Sequence, residues 1–116
     1  MIKAANRLRA TRHIQKALQK GINWLGIFFK VKANHRFGAS ANQPTRLAVI
    51  VTKKLALKSV PRNRLRRRLK AAFRDPISQI NGWDVVIFPA PQAIDAKFED
   101  LVSEVVKCLD FLRQRR

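Results

Sequence analysis

The first 74 residues contain no Asp or Glu. A protein that cleaves phosphodiesters with its own side chains needs paired carboxylates to hold metal ions, or a His set as acid or base. This chain offers little of either. Its seven acids all lie between Asp75 and Asp110, and its two histidines, His13 and His35, have no Ser, Cys or acidic neighbour at a suggestive spacing. Five acids, Asp95, Glu99, Asp100, Glu104 and Asp110, fall on or cap the last expected helix, where a solvated face is their expected place, while Asp75 and Asp84 stand alone. A lone Cys108 excludes an internal disulfide, and its spacing from Leu101, Val105 and Leu112 puts it on an apolar helix face. No Cys and His cluster suits zinc, and four glycines leave no glycine-rich phosphate loop. No apolar run approaches the roughly 20 residues of a membrane-spanning helix. The basic start, Met1 to Arg7, lacks the apolar segment of a signal peptide, so the expected location is cytoplasmic.

What is present is positive charge on a chain able to fold. The 116 residues fit one domain, without repeats or linkers, in which residues 1–10 read as a flexible basic segment. Apolar residues make up 47% of the chain, well above the disordered regime. Residues 1–74 hold twenty Lys and Arg and no acid, a charge of +20; the remainder holds five basic against seven acidic residues, a charge of −2. A field this uneven concentrates polyanions, which makes a nucleic acid the natural partner.

The order of elements reads helix, strands, helix, strand, helix. Thr11 is a cap candidate for a first helix through about Lys20, ended by Gly21, with Ile14, Ala17 and Leu18 as its stripe. Residues 22–33 carry β signals, with Phe29, Val31 and Ala33 on one face, Phe28, Lys30 and Lys32 on the other, and a break at Gly26. Residues 34–45 read as an exposed loop with His35 solvated, and residues 46–52 as a central strand covered on both faces. Asn81-Gly82 turns into a short buried strand over Trp83 to Phe88, and Asp95 caps the last helix, whose stripe is Phe98, Leu101, Val102, Val105, Leu109 and Leu112. The fold class is α+β, a mixed sheet of about four strands with three helices laid on it.

The segment from Ser59, a cap candidate, through Pro61 to Arg74 reads as a helix of about 20 Å. Leu65, Leu69, Ala72 and Phe73 share one arc, and Asn63, Arg67, Lys70 and Arg74 run along the opposite side, flanked by Arg64 and Arg66. Arg62 lies above the apolar arc and Arg68 near its edge, so both are placed to bond to the protein itself. Such a row reaches successive phosphates, and the planar fork of Arg gives bidentate contacts and stacks on bases. Composition does not choose between RNA and DNA.

The run Arg46-Leu47-Ala48-Val49-Ile50-Val51-Thr52-Lys53-Lys54, then seven residues, then Arg62-Asn63-Arg64-Leu65-Arg66-Arg67 through Ala72-Phe73-Arg74, resembles the signature of the bacterial ribonuclease P proteins. Asn6-Arg7-Leu8-Arg9 resembles that family's entry to its first helix, and Gly82-Trp83-Asp84-Val85-Val86-Ile87 its last strand. The resemblance implies a 1:1 partnership with a large catalytic RNA whose bound magnesium performs hydrolysis, the protein having no cofactor of its own. It also implies precursor tRNA as substrate and no membrane. By the same resemblance Arg62, Asn63, Arg64, Arg66 and Arg67 face the RNA with Lys53 and Lys54 nearby, and Arg68, Lys70 and Arg74 on the same helix complete the expected RNA-binding set. The resemblance further implies a cleft between first helix and sheet that holds the single-stranded 5′ leader, lined or bordered by Ile14, Leu18, Phe28, Lys30 and Lys32, to which Arg12 and Lys16 of the first helix are added as expected contacts. The implied fold is like a ribosomal-protein domain, with a left-handed crossover against the general rule.

Three departures stand out. Ile14, Leu18 and Lys32 occupy positions where family members often carry aromatics, which points to a leader grip made by charge more than by stacking. No acid precedes Asp75, and Ala71 stands where an acidic or amide residue is frequent. A ribosomal protein would share the charge and size but lack the joint Lys-Lys and Arg-Asn-Arg arrangement. A cationic DNA-binding protein would bind duplex DNA comparably and have no stoichiometric RNA.

Overall fold

A computed structural model of the chain describes residues 4–36, 38–52 and 59–115. Among them are three α-helices, α1 (Thr11–Lys20), α2 (Ser59–Arg74) and α3 (Phe98–Arg113), and four strands, β1 (Ile22–Leu25), β2 (Phe29–His35), β3 (Arg46–Val49) and β4 (Trp83–Pro89). They form one mixed sheet in the order β1-β2-β4-β3, antiparallel except for the β3/β4 pair. The parallel pair is joined through α2, as the crossover requires.

Alternation along the strands assigns the two faces. Phe29, Val31, Ala33, Leu47, Val49, Val85 and Ile87 point to one side, where they meet Leu65, Leu69 and Phe73 of α2 and Leu101, Val105, Cys108, Leu109 and Leu112 of α3 in the main core. The other side carries Val86, which packs with Ala17 of α1 and Leu8, bordered by Ile14, Leu18, Ala48, Ile50 and Phe88. β4 is therefore covered on both faces, and this explains its unbroken apolar run Val85 to Ile87.

Several expectations change. The strand from Arg46 ends at Val49 and lies at the sheet's edge, alternating half-buried and buried; β4 holds the central position. Residues 6–8 of the expected flexible N-terminal segment run beside that edge. Leu8 donates its N–H to the Leu47 carbonyl at 2.9 Å and is buried, and the Asn6 amide donates to the Thr45 carbonyl at 2.7 Å. Residues 34 and 35 belong to β2, and the His35 ring stands edge-on to Trp83 at 4.9 Å. Thr45 is fully buried, its hydroxyl donating to Ile80 and accepting from the Trp83 N–H.

The expected caps also move. Ala10 holds the N-cap of α1 with no side-chain hydrogen bond, Ser59 lies inside α2, and Lys97 instead of Asp95 precedes α3. Helix ends read from sequence commonly shift by one or two residues.

The acids depart furthest from expectation. Glu104, on α3, is buried, and its carboxylate accepts the backbone N–H groups of Ile27 (2.7 Å), Phe28 (2.9 Å) and Phe29 (3.1 Å) at the β1–β2 turn. Gly26 permits that approach, because a Cβ there would lie 2.6 Å from the carboxylate. Asp84, expected to stand alone, is buried and accepts two 2.8 Å hydrogen bonds from Arg46, with Arg36 Nε at 3.7 Å.

Candidate nucleic-acid interface

α2 lays its apolar arc on the core as its periodicity dictates: Leu65, Leu69, Ala72 and Phe73 are all buried. Asn63, Arg64, Arg67 and Arg74 are exposed on the outer side, and Arg62, Arg66 and Lys70 are half-buried beside them. Among the described residues no side-chain hydrogen bond or ion pair joins Arg62, Arg64, Arg67 or Lys70 to the protein, and Arg66 donates only to the Asn63 side chain at 3.1 Å. No described residue neutralises these charges.

Arg68 differs. Its guanidinium donates to the carbonyls of Ala93 (3.4 Å), Ile94 (3.3 Å) and Ala96, tying α2 to the segment before α3. Its position at the edge of the apolar arc is the sequence signal for this inward role. Lys53 and Lys54 lie outside the described residues.

Arg66 and Lys70 border a groove with Arg7, Arg9, Leu47, Ala48 and Val49. Arg7 and Arg9 lie outside the residues expected at the site, although the family-like entry Asn6 to Arg9 carries the signal. Cationic surface thus passes from α2 around the β3 edge toward the face that α1 covers.

On that second face Ile14, Leu18, Ala48, Ile50 and Phe88 are partly exposed around buried Val86 and Ala17. Lys30 Nζ sits 5.4 Å from the centroid of the Phe88 ring, within cation–π range. Lys32 Nζ donates to the Leu18 carbonyl at 3.3 Å near the C-terminal end of α1, where a cation also meets the negative end of the helix dipole. Arg12 and Lys16 are exposed on α1. Phe28 does not join this group, since it packs against the main core at the β1–β2 turn. Among the described residues, Phe88 is the aromatic of this face. A wholly apolar strand does not announce which of its residues will be left half-open, so the sequence did not single it out.

Among the described residues no three His, Cys, Asp or Glu side chains gather to hold a metal ion, and both buried carboxylates are occupied by internal donors. Burial pushes the Cys108 thiol up to about 12, with Glu104 adding to the effect, so this sulfur stays protonated. No helix among the described residues is long and apolar enough to cross a membrane.

A profile of the Ribonuclease P family matches residues 2–113. A ribonuclease P protein component of a Pseudanabaena species is 29% identical over 110 residues, covering 94% of this chain and 92% of the relative. Among solved structures, a Staphylococcus aureus RNase P protein mutant superposes with a TM-score of 0.78 at 22% identity, covering 94% of this chain and 89% of that one. The Thermotoga maritima RNase P protein gives 0.75 at 24% identity, covering 89% and 94%. These two share the fold. The match over nearly the whole chain, on a chain whose α2 and β3 carry the motif residues, places it: it belongs to the Ribonuclease P family, among its protein components.

Proposed function

We propose that this chain is the RNA-binding, non-catalytic subunit of a ribonucleoprotein that removes the 5′ leader from precursor tRNA. In this reading the outer face of α2 docks one catalytic RNA, and the groove between α1 and the sheet holds the leader. The observation that carries it is the row Arg62, Arg64, Arg67 and Lys70, whose charges no described residue neutralises. A row of unpaired cations repels itself and gains most when phosphates take up its hydrogen bonds. The described side chains do not form a carboxylate set fit for magnesium. In this reading the magnesium ion belongs to the RNA. The protein's part is positioning: Arg64 and Arg67 meet backbone phosphates, and Lys30, Phe88 and Arg12 orient a single strand along α1.

The test is affinity for the catalytic RNA as a function of salt. Arg64→Ala and Arg67→Ala should each weaken binding and lower the magnitude of the log affinity against log salt slope by about 1 or less. Lys107→Ala, on the exposed side of α3, should change neither. Equal losses at all three positions, with circular dichroism unchanged, would mean diffuse charge and no docking helix.

A further inference from the structure

The α1 side of the sheet has a second opening, at the opposite end of β4 from Phe88. It is a cleft of about 590 Å³ lined by Ala5, His13, Lys16, Asn34, Arg36, Gln43, Pro44, Arg46 and Asp84. Asp84 and Phe88 are four residues apart on β4, so the two sites lie roughly 13 Å from one another at the rise of an extended strand.

The floor of the cleft is a buried carboxylate already in use. Arg46 takes both oxygens of Asp84 at 2.8 Å, and Arg36 adds its Nε at 3.7 Å, beyond hydrogen-bond length. Arg36 is anchored separately by its Nη2, which donates to the carbonyls of Gln43 and Pro44. Two guanidinium groups are thereby fixed around a single negative charge. Lys16 and His13 stand on the α1 wall, which leaves the cleft with a surplus of positive charge. Two buried atoms of residues lining this cleft, His13 Nδ1 and Arg36 Nε, have no hydrogen-bond partner among the described residues. A buried polar atom without a partner costs free energy that a suitable ligand recovers.

The lining selects the ligand. A metal cation is disfavoured, because the one carboxylate is saturated and four cationic or protonatable side chains surround it. An apolar ligand finds only Ala5 and Pro44. A tetrahedral oxyanion fits, with Lys16 as a mobile point charge and Arg36 and His13 as directed donors. We propose that this cleft binds a phosphodiester of RNA through Lys16, Arg36 and His13, with Asp84 as the positioning residue that holds the two arginines. The RNA source rests on the function proposed above. The cleft opens on the same sheet face as the α1 groove, and Lys16 and Arg12 continue the positive surface between them.

The experiment has a protein arm and an RNA arm. In the first, inorganic phosphate is titrated into the free protein at constant ionic strength, with chloride as control, while the His13 ring signals are followed by NMR. Phosphate should shift them saturably and raise the pH at which His13 titrates, since a nearby anion favours the imidazolium. Lys16→Gln should weaken that response several-fold. In the second arm, Lys16→Gln should lower the affinity of the protein–RNA complex for precursor tRNA about 3- to 10-fold and reduce the salt slope by about 1, whereas Lys107→Gln should do neither. A phosphate response no different from chloride overturns the site. A saturable phosphate response, with Lys16→Gln and Lys107→Gln alike toward RNA, overturns the phosphodiester assignment and leaves a site for free phosphate. If instead Lys16→Gln loses RNA affinity while Arg64→Ala and Arg67→Ala do not, the cleft stands and the docking role of α2 falls.

Discussion

The two faces of one four-stranded sheet are finished in different ways. Toward α2 and α3, Phe29, Val31, Val85 and Ile87 are sealed under Leu65, Phe73, Leu101 and Leu109. Toward α1, the buried apolar cluster among the described residues is Leu8, Ala17 and Val86, and Ile14, Leu18, Ala48, Ile50 and Phe88 remain partly open among lysines and arginines. Leaving apolar surface in water forgoes about 25 cal/mol per Å², and a chain with 47% apolar residues had the means to close this side. A half-open apolar floor within a cationic rim is the composition of a single-strand groove, where bases and phosphates are met by different side chains. The sealed face stabilises the molecule, and the unsealed one offers a surface.

Glu104 is where the sealed side should break most severely. Glu104→Ala would strip three backbone N–H groups at the β1–β2 turn of their acceptor, and orphaned buried donors cost about 1 to 3 kcal/mol each. The Ile27 end lies close to solvent, so a total of about 2 to 4 kcal/mol is expected in urea unfolding, with RNA affinity of the folded fraction unchanged. A loss below about 1 kcal/mol would show that water replaces the carboxylate without penalty.

Arg68 sharpens the comparison within a single helix. Its neighbours Arg64 and Arg67 face outward, but its own donors go to the carbonyls of Ala93, Ile94 and Ala96. Arg68→Ala should cost about 1 to 3 kcal/mol of stability, the range for hydrogen bonds from a charged group, and leave the salt slope of RNA binding in place. A reduced slope with unchanged stability would return Arg68 to the outer row.

These residues also show which parts of the molecule could be seen in the sequence. Leu65, Leu69, Ala72 and Phe73 repeat at helical spacing, so the buried side of α2 and the cationic side opposite it followed from period alone, and the edge position of Arg68 gave its inward role. Glu104 meets residues 75 to 77 positions away, and Asp84 meets Arg46 at 38. No local pattern encodes such partners, and a Glu on an amphipathic helix reads as solvated until the turn it supports is in place. The edge position of β3 was hidden for a related reason: an apolar run shows that a strand is covered without showing what lies beside it.

The α1 groove can be tested at Phe88, the aromatic that the resemblance did not supply. In an RNA complex, Phe88→Leu should weaken binding of precursor tRNA while leaving mature tRNA unaffected, by about 1 kcal/mol, the low end for loss of a base–aromatic stack. The salt slope should hold, since no charge is removed. Lys30→Ala should lower the slope instead. An unchanged precursor-to-mature ratio in Phe88→Leu would remove this ring from the groove.

The smallest expected effect is at His13 and concerns the open face without any ligand. Burial lowers the His13 pKa from its ordinary 6.5; Arg46, Arg12 and Arg36 lower it further, and Asp84 opposes them. The folded protein therefore binds this proton less readily than the unfolded chain does. The stability associated with neutral His13 is present above pH 6.5 and is lost as the pH falls through the lower, folded value. Urea unfolding of wild type and His13→Gln between pH 7.5 and 5 should show the wild type losing stability relative to the variant on acidification. Inorganic phosphate at fixed ionic strength should shrink the difference, because an oxyanion beside the ring reverses the sign of its surroundings. A wild type that instead gains stability over His13→Gln on acidification would mean that Asp84 dominates the imidazole and that the cleft is less cationic than its lining implies.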